Sequence, residues 1–474
     1  MTRTQLPIRR SVSVGTARSY WMRDALSLET AQADPGTTLT ASLRADVCIV
    51  GGGFTGMWTA IELKQRDPSL DIVLIEADLC GSGASGTNAG MLMNLWPKMP
   101  ALLKAGGPTE GLDVARASVE AIDYIRRFCV ENRIDVQWEP NGWLWASNNP
   151  SQDGVWDETL AASVDQAGSP FEEIDSVTAT ALAGTAVRGG ILDSTCVGLN
   201  PARLARGLLR VVRSLGVMVF EHSPMTSIDS GGVTNVVHTQ GGSVSADAVV
   251  LAINAWCSEF PEVRKHLVMT ASDNAVVRPP SGWAESQRTN VSDGGRLLDY
   301  WRSLADGNFL FGKAGLGLGW GARGASSLFK PIPRPGRLLD HMVRTVPAMA
   351  GSHVVSTWRA PVEYSVSSLP FFGELGSHPG VYFGTGYSGD GVGPSVLGGQ
   401  ILASLALRSN DNLASSFLTR LPSGRGLPPE PIRFLGGQLV KTALIRQDRA
   451  HDRGRRVDPL TALLTRVDPT SFVG

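Results

Sequence analysis

The sequence predicts an α/β protein in which a Rossmann-like, dinucleotide-binding domain is interleaved with an α+β substrate domain built on a mostly antiparallel sheet. Three observations carry that expectation. From Ala45 a strand, a glycine turn, a helix and a second strand follow within about 30 residues, the length of a βαβ unit. A second run of strand, glycine turn and helix appears near the other end, over residues 381–407. Between them, residues 260–357 alternate aromatic-rich strand patterns with long Gly, Arg and Pro loops, as a sheet covering a substrate would. A nucleotide piece, a substrate piece and a second nucleotide piece, in that order, demand discontinuous domains, and 474 residues suffice at roughly 100–200 per domain.

Each element follows from local pattern. Residues 1–44 form an arm whose amphipathic piece, Ser19-Tyr20-Trp21-Met22-Arg23-Asp24-Ala25-Leu26, predicts a short helix lying against the body. Val47-Cys48-Ile49-Val50 and Ile72-Val73-Leu74-Ile75 are unbroken apolar runs, the mark of strands buried on both faces of a parallel sheet, and residues 56–66 form the helix between them. A helix at 114–132 leads to the strand-like Gly142-Trp143-Leu144-Trp145-Ala146, and a helix at 201–215 to a strand at 217–221. Residues 233–239, 243–244 and 248–253 read as a small antiparallel piece that ends in a buried strand. Val381-Tyr382-Phe383-Gly384-Thr385 is another buried strand, a helix follows at 392–407, and a basic, partly helical segment at 433–453 is expected to pack on the surface. The expected partition is an arm (1–44), dinucleotide-binding pieces (45–100, 191–258, 369–425), substrate pieces (101–190, 259–368) and a basic C-terminal helix and tail (426–474).

With 43 Lys and Arg against 44 Asp and Glu, the net charge of −1 offers no field to gather nucleic acid or an anionic membrane. A small-molecule partner is expected. Glycine, at 54 of 474, is in excess without any repeat to explain it, which suggests many tight backbone approaches. Cys48, Cys80, Cys129, Cys196 and Cys257 lack paired spacing and read as free thiols of a cytoplasmic protein. Arg9-Arg10 resembles the opening of a twin-arginine export signal, but a polar stretch follows where the apolar region belongs. No apolar run reaches the roughly 18–20 residues that span a bilayer. The seven histidines show no ligand spacing, so no metal is expected.

Chemistry concentrates in three glycine-rich segments. Gly51-Gly52-Gly53-Phe54-Thr55-Gly56 fits G-x-G-x-x-G between a strand and a helix. There Gly51 permits the turn, Gly53 admits a pyrophosphate, Gly56 lets helix and strand close, and the helix N-terminus with Phe54 and Thr55 faces the phosphates. Glu76, followed by Ala77, ends the second strand twenty residues beyond Gly56, where an acid accepts a ribose hydroxyl. Next comes Cys80-Gly81-Ser82-Gly83-Ala84-Ser85-Gly86-Thr87-Asn88-Ala89-Gly90-Met91-Leu92, which an NAD unit does not need but the long flavin half of FAD does. The third, Gly384-Thr385-Gly386-Tyr387-Ser388-Gly389-Asp390-Gly391-Val392-Gly393-Pro394, places a helix N-terminus where a reduced flavin would carry negative charge. FAD is therefore the expected cofactor, held noncovalently because no Cys or His lies in residues 81–92; Cys80 is the one neighbouring thiol.

These motifs, with Leu251-Ala252-Ile253-Asn254-Ala255-Trp256 and Leu369-Pro370-Phe371-Phe372-Gly373, resemble the D-amino-acid oxidase superfamily of FAD enzymes. Within it the chain looks most like the branch of γ-glutamylputrescine oxidases and aminophosphonate oxidoreductases related to glycine oxidase. The resemblance implies FAD-dependent oxidation of an amine C–N bond with oxygen as the final acceptor, flavin contacts at Gly83, Ala84, Ser85, Asn88, Ala89, Gly90, Met91, Ala252, Trp256, Gly389, Asp390, Gly391, Val392 and Gly393, and an adenine contact at Met225. Glycine oxidases carry a tryptophan, a carboxylate-binding arginine four positions on, and Pro and Gly twelve and fifteen positions after the tryptophan; Trp358, Pro370 and Gly373 keep that spacing while the arginine position is Val362. Valine cannot replace a bidentate guanidinium. An α-amino acid is thus disfavoured against an amine with a remote anion or none, unless Arg359 or Arg302 supplies a clamp.

Lys313, flanked by glycines, is the catalytic candidate because a similarly placed lysine of sarcosine oxidases favours reaction with oxygen; a solvated strand-end lysine is the alternative. Tyr300, Arg302, Trp358, Arg359, Tyr387 and Lys98 are substrate candidates, with core or surface roles open for Tyr300 and Arg302 and a surface role open for Lys98. The rival functions are a dehydrogenase passing electrons to a quinone or carrier protein, a flavin subunit of a larger complex, and a biosynthetic enzyme acting on a larger amine.

Overall fold

Apolar strands buried on both faces build the first sheet. The computed structural model describes residues 2–5, 18–29, 37–164, 166–283, 289–321, 324–423 and 426–466; the Arg9-Arg10 pair lies outside them. Met218–Phe220, Ile72–Ile75, Ser42–Val50, Ser243–Leu251 and Val381–Thr385 lie side by side and parallel. An antiparallel ribbon, Ser227–Ser230 and Asn235–His238, joins through Ser243–Leu251, and Phe371–Glu374 closes on Val381–Thr385. Helices Phe54–Arg66, Pro201–Ser214 and Pro394–Ala406 cover the sheet with apolar faces, burying Met57, Ile61, Leu204, Leu208, Ile401 and Leu402.

The second sheet is antiparallel except where Asn290–Asp293 runs parallel to Trp143–Ala146. Its order is His353–Ser365, Leu267–Arg278, Phe309–Leu316, Asp299–Ser303, Asn290–Asp293, Trp143–Ala146, Gly190–Asp193, Phe171–Ile174. The chain thus leaves the first sheet, enters the second at Trp143–Ala146, returns at Met218–Phe220 and stays through Ser243–Leu251, crosses again and comes back at Phe371–Glu374 and Val381–Thr385. The α/β class and the interleaving of the two sheets hold.

Two segments differ from the sequence expectation. The helix expected at 114–132 is continuous with an earlier turn and spans Met99–Glu131, bent at Gly107 and Pro108, where Gly107 adopts φ 72°. Gly107 and Pro108 bend this helix without ending it, because both halves find apolar cover, with Met99 and Leu102 buried on one side and Val114, Ile122 and Ile125 on the other. The pieces at 243–244 and 248–253 are one strand, Ser243–Leu251. The arm's helix forms as Tyr20–Ser27, capped by Ser19, with Trp21, Met22 and Ala25 buried and Asp24 paired to Arg203 at 2.7 Å.

Candidate active site

Between the sheets lies a cavity of about 1330 Å³, larger than the roughly 300–1,000 Å³ of an ordinary ligand pocket. One wall is the set of turns at the carboxyl ends of the parallel strands, where ligands of open α/β sheets sit. Gly51 has φ 110°, and a Cβ there would lie 2.5 Å from the Ala252 carbonyl oxygen. A Cβ on Gly56 would overlap the Gly51 carbonyl oxygen, so the helix can approach its strand only with glycine at that position. Gly51, Gly53, Phe54 and Thr55 line the cavity, whereas Gly56 serves packing.

Glu76 also lines it. Its two carboxylate oxygens accept the Gly52 and Asp78 amides at 2.7 and 2.9 Å, which fixes the carboxylate against the glycine turn. Each oxygen keeps a second lone pair free to accept a ribose hydroxyl. Ala77 lies beside it, and Ser223, Pro224 and Met225 run alongside, held by the Ser223 amide donating to the Glu76 carbonyl at 2.7 Å. Ala252 and Trp256 close this end.

The second glycine stretch folds over the cavity as a 3-10 turn, Ala84–Gly86. The Ser85 hydroxyl accepts the Phe54 amide at 2.8 Å, tying the stretch to the helix N-terminus. The Asn88 side-chain amide donates to the Ala84 and Ser85 carbonyls while its oxygen accepts the Gly90 amide. Gly83, Ala84, Ser85, Asn88, Ala89 and Met91 line the cavity; Gly90 does not, its φ of 73° letting the chain pass the Leu199 carbonyl. In the third segment Gly389, Asp390, Gly391 and Val392 line the cavity, and Gly393 instead packs on Met93, whose carbonyl oxygen would be 2.6 Å from a Cβ there.

The opposite wall is one face of the second sheet. Side chains alternate along a strand, and register puts Thr270 beside Val362, Ser272 beside Ala360, and Ser292 beside both Tyr300 and Trp145. All of these line the cavity, with Trp143, Asn274, Ala314 and Tyr364. Tyr300 lies under them, its hydroxyl 2.5 Å from Ser272 Oγ and 2.9 Å from Asn274 Oδ1.

That alternation corrects the catalytic expectation. Lys313 is turned to the other face, where its ammonium donates to Asp299 at 2.7 Å and to the Leu297 carbonyl at 2.8 Å, and it is absent from the cavity lining. The neighbouring Gly312 has a different reason: a Cβ there would overlap the Tyr300 ring.

Three substrate candidates also lie outside the cavity lining, Arg359 because it shares the face of Lys313, and Arg302 and Trp358 because the second glycine stretch covers them. Arg302 is buried, paired with Glu139 at 2.5 Å and donating to the Gly90 carbonyl. Trp358 donates its indole N–H to the Thr87 carbonyl at 2.8 Å, as Trp21 does to the Asn88 carbonyl at 2.9 Å. These side chains brace the second glycine stretch from behind. Arg359 spends its guanidinium on Asp273, at 2.5 and 2.7 Å. None of Arg302, Trp358 and Arg359 lines the cavity.

Lys98 and Tyr387 do line it, with their polar ends committed. Lys98 is buried, 2.8 Å from Asp390 and donating to the Tyr387 carbonyl at 3.2 Å, so it fastens the third glycine segment. The Tyr387 hydroxyl meets Thr55 Oγ1 at 2.8 Å. Cys80 is buried outside the lining, its sulfur against Gly52, and burial with the Glu221 and Glu76 charges pushes its thiol well up.

Sequence reasoning missed two carboxyls. Glu363 is buried in the wall, accepts the Tyr387 amide at 3.2 Å, and is pushed by burial to about 7. Glu259, beside Trp256, is pushed by burial to about 7 and leaves one carboxylate oxygen without a partner. Neither belongs to a motif, and their burial comes from contacts distant in sequence. Trp143 and Trp145, read only as strand residues, form part of the cavity with ring centres 5.7 Å apart.

The cavity therefore fits a dinucleotide: a glycine turn at a helix N-terminus, an acid at the ribose position, and a second run of small residues lie along one continuous wall. Among the described residues no His, Cys, Asp and Glu side chains are grouped as a metal site requires, and no helix is long and apolar enough to cross a membrane.

Comparison with known proteins agrees with that geometry. The model of the FAD dependent oxidoreductase family, DAO, matches residues 46–405. Gamma-glutamylputrescine oxidoreductase of Escherichia coli (strain K12) is 29% identical over 428 residues, 88% of this chain and 94% of its own. Glycine oxidase of Geobacillus kaustophilus (strain HTA426) is 26% identical over 408 residues, 80% of this chain and 97% of its own. The crystal structure of glycine oxidase from Geobacillus kaustophilus superposes with a TM-score of 0.63 at 21% identity, covering 80% of this chain and all of that one.

Proposed function

This chain belongs to the FAD dependent oxidoreductase family, and from that premise we propose that it oxidises a primary or secondary amine, polyamine-derived or aminophosphonate-like, to an imine. Bound FAD would supply the acceptor, at N5, for the hydride that leaves the carbon next to nitrogen, and oxygen would be the final acceptor of the electron pair, taken up with two protons as hydrogen peroxide. The amine nitrogen would lose a proton to solvent as the C=N bond forms, and water would then add to that carbon and break the C–N bond, releasing ammonia or the shorter amine and leaving a carbonyl compound.

The protein's part is to bind, orient and keep water out. Gly51, Gly53 and the amides of the helix beginning at Phe54 would receive the pyrophosphate, and Glu76 the ribose. The second glycine stretch, pinned by Trp21, Trp358 and Arg302, would hold the flavin half. Thr270, Val362, Tyr364 and the two tryptophans form the opposite wall of the cavity, where positioning and desolvation would favour reaction of the neutral amine.

The observation that carries the substrate class is Val362, which lines the cavity while Arg359 and Arg302 are committed to Asp273 and Glu139. An α-carboxylate held by a strand arginine has no counterpart here. The test is anaerobic reduction of the holoenzyme by hexylamine, putrescine derivatives, aminoethylphosphonate and its N-methyl form, sarcosine, glycine and D-alanine. Amines without an α-carboxylate should bleach the flavin band at least about tenfold more efficiently, since a bidentate clamp is worth roughly 1.5–3 kcal/mol. Preference for glycine or D-alanine would overturn the reading.

The orientation of Lys313 favours a second possibility, a dehydrogenase that hands electrons to a quinone or carrier protein. Peroxide yield per turnover decides between them: near one equivalent supports the oxidase, negligible peroxide with rapid dye reduction the dehydrogenase. The five buried free thiols support a cytoplasmic site of action.

A further inference from the structure

The helix Ile432–His451 lies beyond the stretch that the family model matches, residues 46–405. Gly437, Val440, Lys441 and Leu444 nevertheless line the cavity, and their spacing of three and four residues places them on one helix face. Lys441 is half-buried, and no hydrogen bond or ion pair holds its ammonium among the described residues. The other lining cations are differently placed: Lys98 is neutralised by Asp390 at 2.8 Å, and Arg296 is exposed. The Arg359 guanidinium, near enough for its charge to act on Lys441, already has Asp273 as counter-ion.

We propose that Lys441 receives a remote anionic group of the substrate, a carboxylate or phosphonate at the far end from the oxidised amine, so that this helix supplies the recognition that position 362 lacks. The proposal rests on the amine-oxidation reading. Burial, and then the Arg359 charge, hold the Lys441 ammonium below the usual lysine value, the direction expected of a cation still lacking a counter-anion. A flexible stem on an element outside the matched stretch suits a group that binds the tail of a substrate, since it can select length and charge without disturbing the reacting end.

The test compares ε-aminocaproate with hexylamine, which differ by the terminal carboxylate, in wild-type holoenzyme and in Lys441→Met, Lys441→Arg and Arg296→Met. Lys441→Met should raise KM for ε-aminocaproate by about tenfold to a hundredfold, the range of a charge-assisted hydrogen bond. It should leave kcat and the hexylamine parameters unchanged, and Lys441→Arg should restore most of the loss. Equal effects on both amines, no effect on either, or loss of discrimination in Arg296→Met instead would overturn the assignment. Adipate binding, followed by calorimetry, reads the same site without turnover. If neither amine reduces the flavin yet adipate still depends on Lys441, the amine reading fails and the anion site stands; if adipate ignores Lys441, the anion site fails.

Discussion

At the scale of single residues, one side chain decides what the sheet wall can hold. Val362 sits beside Thr270 on the cavity face, so Val362→Arg would project a guanidinium into the space where an α-carboxylate would lie. We expect kcat/KM for glycine or D-alanine to rise about tenfold or more and that for hexylamine to fall, both read from anaerobic reduction rates. No change for the amino acids would mean that position 362 does not face the reacting carbon. Arg302 makes the opposite case. Removing it as Arg302→Met leaves Glu139 buried without its 2.5 Å partner, which should cost on the order of 3 kcal/mol of stability or more in urea unfolding. In whatever holoenzyme survives, KM for hexylamine should stay within about twofold, because the side chain holds the Gly90 carbonyl and meets no substrate; a large KM change at unaltered stability would return Arg302 to the substrate list. Lys313, Arg302, Trp358 and Arg359 were all legible as residues of telling chemistry. That Lys313 and Arg359 take the other face was not, because a shift of one residue in register exchanges the faces, nor was it legible that the second glycine stretch, far away in sequence, covers Arg302 and Trp358.

At the scale of elements, the glycine segments were legible because their function is local: a turn, a close approach and a helix N-terminus each need particular residues at fixed offsets. What holds the second segment in place was not. Its braces are Trp21 from the arm, Trp358 from the sheet edge and the Ser85 cap on Phe54, brought together from three parts of the chain. Trp358→Phe keeps the buried ring and removes only the bond to the Thr87 carbonyl. It should weaken FAD binding about threefold to tenfold, the effect of roughly 0.5–1.5 kcal/mol, with the flavin spectrum of the loaded protein little changed. An unchanged FAD affinity would show that the stretch keeps its shape without that bond. The C-terminal helix marks the limit of element-level reading. Its exposed Leu435 and Leu439 and its many basic residues resemble a surface helix from the sequence, and the four lining positions are inconspicuous until tertiary packing turns them inward.

At the scale of the whole molecule, the fold is a store of buried acid. Glu363 and Glu259 are held at about 7, Asp448 at about 7 and Asp293 at about 6, in each case chiefly by burial. A carboxyl raised in the folded state binds a proton there that the unfolded chain has already released, so between the unfolded and folded values the native state holds more protons and stability falls as pH rises. Asp293, Asp299 and Asp448 share the field of Lys313 and titrate as a group, which makes Glu363 the cleaner probe. Wild-type protein at saturating FAD should be most stable below about pH 5 with respect to this group and lose stability progressively through about pH 7. Glu363→Gln keeps the acceptor oxygen that faces the Tyr387 amide and removes the titration. Its unfolding free energy should therefore decline less between about pH 5 and about pH 8, by on the order of 1–3 kcal/mol. Urea titrations of both proteins at the two pH values measure that difference directly. Parallel pH dependences would place the ionisation of Glu363 outside the folding equilibrium, and a steeper decline in the variant would reverse the sign assigned to its burial.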